Sequence, residues 1–125
     1  MRYEVRFDPD SGFLSVTVEG EYGLELANHI LAELRAATVR HPAAPILIDT
    51  RAARTTMTAT DTYDLGQSLR SQGIATAVRM AIVNEPRHDF NRASFLEEIG
   101  RHRGLQIRNF HELAPAVAWL NGEEP

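Results

Sequence analysis

Arg2-Tyr3-Glu4-Val5-Arg6-Phe7, followed after a short gap by Phe13-Leu14-Ser15-Val16-Thr17-Val18, decides the fold class of this chain. Tyr3, Val5 and Phe7 alternate with polar Arg2, Glu4 and Arg6, and Leu14, Val16 and Val18 alternate with Phe13, Ser15 and Thr17. A period of two marks a half-buried strand. The intervening Asp8-Pro9-Asp10-Ser11-Gly12 consists of turn formers, so the pair reads as an antiparallel hairpin. The same alternation returns downstream. Ile46 and Ile48 lead to Asp49, and Val78, Met80 and Ile82 interleave with Arg79, Ala81 and Val83. Leu105 and Ile107 interleave with Gln106 and Arg108.

Helical patterns separate the last four strands. Over 22–41 the apolar stripe is Leu24, Ala27, Ile30, Leu31, Leu34 and Ala37, and Pro42 and Pro45 stop it. A Thr-rich loop from Thr50 to Thr58 leads into a helix over 60–72 with Tyr63, Gly66 and Leu69 inward. A third helix over 89–103 buries Phe90, Ala93, Leu96 and Ile99, and a fourth over 111–120 turns Leu113, Val117 and Leu120 inward. Strands joined through helices run parallel. Parallel sheets covered on both faces read as unbroken apolar runs, and these strands alternate instead. If the strands lie side by side in sequence order, right-handed crossovers place every crossover helix on the same face. The expectation is an α/β domain with a five-stranded mixed sheet: an N-terminal antiparallel hairpin, then parallel strands in sequence order. Its four helices lie mainly on one face. The other face, with Arg2, Glu4, Arg6, Arg79 and Arg108, stays wet. One domain over 1–121 and a tail over 122–125 account for the chain.

Composition excludes several chemistries. The chain has 125 residues, no cysteine, a net charge of −4, and 13 basic residues that are all arginine. Thiol catalysis and cysteine-bound metals are excluded, as are a lysine Schiff base and a phosphate-loop lysine. No basic field is present for general nucleic-acid binding. The N-terminus has no apolar signal core and no stretch approaches a membrane span, so a cytoplasmic protein is expected. The serines lack a Gly-x-Ser-x-Gly setting and no His-x-x-x-His spacing occurs. Glu97 and Glu98 are neighbours on a helix and diverge by about 100°, so they cannot share a substrate. The expectation is no enzyme, no metal and no cofactor.

In open α/β sheets, ligands gather outside the carboxyl ends of the strands. There the sequence places Arg51 and Arg54, then Arg87, His88 and Asp89, then Asn109 and His111. Arg51, Arg54 and Arg87 are candidates to clamp a carboxylate or phosphate bidentately, with His88 and His111 beside them. Thr58 and Thr60, ahead of the second helix, are candidate phosphoacceptors, because a phosphate there meets the positive helix end. The plainer reading makes Thr60 the helix cap. An edge strand at 3–7 or 105–109 invites pairing that a homodimer would satisfy.

The chain resembles the SpoIIAA-like group of STAS-type domains, whose architecture is shared by the C-terminal lobes of Sec14/CRAL-TRIO lipid-binding proteins. VEGEYGLELA (18–27), ILIDTRAA (46–53), MAIVNE (80–85), Arg101-His102-Arg103-Gly104 and AVAWL (116–120) carry the likeness across nearly the whole length. The resemblance implies a SpoIIAA-like (βα)n superhelix and a small, bacterial, non-enzymatic module that works by protein–protein association. In such domains a serine at the start of the second helix, in Asp-Ser-Ser-Gly, is phosphorylated. This chain has Met57-Thr58-Ala59-Thr60-Asp61 there. The Sec14-type lobe implies an alternative: a carrier or sensor of a small anionic or amphipathic ligand at the C-terminal ends of the parallel strands, for which a cavity between the second and third helices and the sheet would speak.

Overall fold

The hairpin forms as its turn chemistry dictates. Asp8 accepts hydrogen bonds from the backbone N–H of Asp10 (3.0 Å) and the hydroxyl of Ser11 (3.1 Å), and Gly12 takes φ +79° to close the turn. In this computed structural model, residues 2–123 are described, and for 86–93 the backbone alone. The elements are β1 (Arg2–Asp8), β2 (Phe13–Tyr22), α1 (Leu24–Arg40), β3 (Ile46–Thr55), α2 (Ala59–Ser71), β4 (Met80–Val83), α3 (Pro86–His102), β5 (Ile107–Phe110) and α4 (Leu113–Leu120). The strands lie in the order β1-β2-β3-β4-β5, with β1 antiparallel to β2 and the other pairs parallel. The expected sheet and strand order are therefore present.

The crossover helices share one face. Ile30, Leu31 and Leu34 of α1, Leu69 of α2 and Leu96 of α3 join Leu14, Val16, Ile46, Met80 and Ile82 of the sheet in one buried cluster. Gly66 lets α2 approach α3 closely, since a Cβ there would lie 2.9 Å from Ile99 Cγ2. α4, after which no strand follows among the described residues, packs on the opposite face. Its Ala116 and Leu120 close a second cluster with Phe13, Ala81 and Val83. Arg79 is partly covered as a result. Its guanidinium lies 5.0 Å from the Trp119 ring centre, and its Nη1 donates to the Trp119 carbonyl at 2.6 Å. It supplies the positive charge that the last turn of α4 lacks. Arg108 stays exposed.

Several local expectations need correction. The stretch expected as a loop from Thr50 continues β3 to Thr55, whose register partner is Tyr22. Thr is β-branched and suits a strand, and β2 is long enough to pair with it. Between Thr17 and Glu19, β3 advances from Asp49 to Ala52, a bulge that lets both Thr50 and Ala53 turn to the core. In α2 the buried position is Thr62, while Tyr63 is 42% exposed and receives a hydrogen bond from Arg103 at 2.7 Å. In α4, Leu113 is 40% exposed and Ala116 takes the inner place. α3 starts at Pro86, where a proline's missing N–H costs nothing. The expected burial of Phe90 and Ala93 falls outside the described residues.

Candidate functional site

A concave space lined mostly by apolar side chains is left under the crossover helices. Val18 and Tyr22 of β2, Ile48 and Thr50 of β3, and Met80 and Ile82 of β4 form its floor. Ala27, Ile30, Leu31 and Leu34 of α1, Thr62, Leu65 and Leu69 of α2, Leu96 of α3 and Met57 complete the walls. The cavity holds about 100 Å³ and is partly open to solvent. α2 contributes few large apolar side chains to it, and Thr62 stands in the wall where a longer aliphatic side chain would take up space.

The lining offers little polarity. Thr50 donates its hydroxyl to the Val83 carbonyl (3.2 Å), and Thr62 donates to the Thr58 carbonyl (2.9 Å). Neither threonine proton is free for a ligand, and Tyr22 is the remaining polar side chain of the lining, so an occupant is mostly apolar in its buried part. Size narrows the choice further. An apolar cavity of about 150 Å³ takes benzene or xenon, so this one fits a fragment of that order, such as a chain end, and not a whole lipid.

The sequence-derived anion rim is arranged differently. Arg51 is engaged bidentately by Asp49, with Nε to Oδ1 at 3.0 Å and Nη2 to Oδ2 at 2.8 Å, and its own N–H binds Oδ1 at 3.0 Å. The Arg51 guanidinium holds the Asp49 carboxyl below the usual carboxylate range, against partial burial that pushes it upward. A ligand carboxylate would have to displace Asp49 to use this fork. Asp49 and Arg51 also line a shallow hollow with Thr17, Glu19 and Ala52, on the sheet face away from the cavity. Arg54 is exposed and stands in register with Glu21. His111 is exposed just ahead of α4. Arg87 and His88 belong to the first turn of α3, and their side chains lie outside the described residues.

At the start of α2 the cap is Thr58, two residues earlier than expected. Its hydroxyl accepts the Asp61 N–H at 3.1 Å, and Asp61 accepts the Thr58 N–H at 3.1 Å. This reciprocal box satisfies two otherwise orphaned donors. Thr58 and Thr60 are both exposed. The C-terminal ends of β4 and β5 hold a polar network around Asn109, which sequence reading placed at this strand end without its partners. Buried Asn84 donates to the Asn109 side chain and to the Phe110 carbonyl (3.2 Å), and Asn109 donates to Ser94 Oγ (3.1 Å). An Asn directly after a buried strand was its signal. Among the described residues no group of three or more His, Asp or Glu could hold a metal ion, and no helix is long and apolar enough to cross a membrane.

No family model matches the chain, and no curated protein does. Among solved structures, an uncharacterized protein of the DUF3478 family with a SpoIIAA-like fold, from Shewanella loihica PV-4, is similar to it. The TM-score is 0.60 at 16% identity, over 95% of this chain and 92% of that one. The chain has a SpoIIAA-like fold.

Proposed function

From that fold, we propose that the domain is a non-catalytic binding module that takes a small, mostly apolar ligand between its crossover helices and its sheet. One observation carries the reading: a partly open cavity of about 100 Å³ walled almost wholly by aliphatic side chains. Well-packed interiors rarely keep space of this size, and unfilled apolar volume destabilises by about 24 cal/mol per Å³. Filling such apolar space with a ligand is favourable for the same reason. The floor and walls hold no carboxylate, imidazole or guanidinium, and Tyr22 brings the one phenol, so the buried chemistry is recognition by shape and desolvation. An amphipathic ligand would leave its polar end at the opening.

Isothermal titration of the protein with octanoate tests the reading. One equivalent binds. Ala27→Leu, which fills the wall from α1, abolishes binding while keeping or raising the melting temperature, because the added methylenes occupy space and displace no neighbour. Absence of binding, or binding that persists in Ala27→Leu, contradicts the assignment.

A further inference from the structure

The two edges of the sheet are treated differently. At β5, Met80 N–H donates to the Gln106 carbonyl and Asn84 N–H to the Phe110 carbonyl, so Ile107 and Asn109 face outward. Glu97 closes that edge by accepting the Asn109 N–H at 2.6 Å. β1 is seven residues long and pairs on one side only. Leu14 N–H donates to the Pro45 carbonyl, so Leu14 faces away from β1, and Phe13, Ser15, Thr17 and Glu19 face it. Their register partners Asp8, Arg6, Glu4 and Arg2 therefore spend their backbone groups on β2. The N–H and C=O groups of Tyr3, Val5 and Phe7 are left along the outer edge.

We propose that β1 is a self-association strand: two copies pair antiparallel about a two-fold axis at Val5, joining two five-stranded sheets into one of ten strands. Two features of the chain together fit this register and no neighbouring one. The residues brought opposite as hydrogen-bonded pairs are Val5 with the partner's Val5 and Tyr3 with the partner's Phe7, all with free outward backbone groups. A slip of one residue would oppose a spent group to a free one. On the polar face, the same axis sets Glu4 against the partner's Arg6 and Arg2 against the partner's Asp8, opposite charges throughout. The sequence Arg-x-Glu-x-Arg-x-Asp is thus complementary to itself when reversed.

The helix layer permits the join. α1 packs over β1 and β2, so with strands about 4.8 Å apart the two copies of α1 come to about 10 Å, an ordinary helix-packing distance. Tyr3 donates its hydroxyl to Glu33 at 2.6 Å, and Phe7 stacks on His41 at 3.9 Å, which fixes the level of the helix against the strand. The axis then brings exposed Glu33 of each copy to the level of exposed Arg40 of the other.

Sedimentation equilibrium over a range of concentrations tests this. The wild-type chain gives a mass of twice 14.0 kDa. Val5→Pro removes only an outward N–H, so the β1–β2 ladder survives and the dimer is lost. Arg6→Glu opposes like charges across the axis and weakens association at least about tenfold. The double variant Glu4→Arg, Arg6→Glu restores it, since Thr17 and Ser15, the neighbours on β2, are uncharged. A monomeric wild type, a dimer that persists in Val5→Pro, or a double variant no better than Arg6→Glu overturns the proposal. None of these outcomes depends on octanoate binding.

Discussion

Thr58 shows how much a single side chain can decide. Its hydroxyl and the Asp61 carboxylate satisfy each other's backbone at the start of α2. Thr58→Ala should lower unfolding stability by about 1 kcal/mol, read as a shift of the urea midpoint. Thr60→Ala should change it by less than about 0.5 kcal/mol, because an exposed first-turn Thr only exchanges a weak helix former for a strong one. Equal costs would remove the cap assignment. Sequence reading recognised the cap chemistry and placed it two residues late, since Thr58, Thr60 and Asp61 all satisfy cap preferences and only geometry ranks them. Tyr63 and Thr62 show the same limit: periodicity places the inner face to within one residue, and the larger apolar side chain was assumed to be the buried one. Asp49 and Arg51 were both legible as strand-end polar groups. Their i, i+2 spacing puts both on one face of β3 and lets them bind each other, a contact that alternation permits and only geometry confirms.

Among the elements, α4 carries the lesson. Right-handed crossovers explain α1, α2 and α3 on one face, and that rule says nothing about a terminal helix. The signal for α4 was present in β4, where Ala81 and Val83 are apolar on the side expected to be wet, matched by Phe13 in β2. Arg79 and Arg108 drew attention away from them. α4 shields that patch, and Leu120 is its anchor at 5% exposure. Leu120→Ala should cost about 2–4 kcal/mol, whereas Leu113→Ala, at 40% exposure, should cost about 0.5 kcal/mol or less. Denaturation curves showing similar costs at both positions would mean that α4 is not docked as described. β3 extends further than expected for a related reason: its partner β2 continues to Tyr22, and pairing overrides the loop-like composition of Thr50–Thr55.

For the molecule as a whole, strand order and strand direction were legible because hairpin, crossovers and alternation all point to one topology. The cavity was not, because it depends on how far α1 and α2 stand from the sheet, and sequence gives only its ingredients, the small residues of α2. The architecture leaves the C-terminal strand ends polar and the space beneath the helices apolar, so recognition is expected beneath the helices. Methyl NMR with increasing octanoate tests this most directly. The signals of Ile30, Met57, Met80 and Ile82, which line the cavity, should shift and saturate together, while Ile74, equally buried but outside it, holds still. Shifts absent from those four methyls, or confined to exposed positions such as Val39, would contradict a ligand-binding interior.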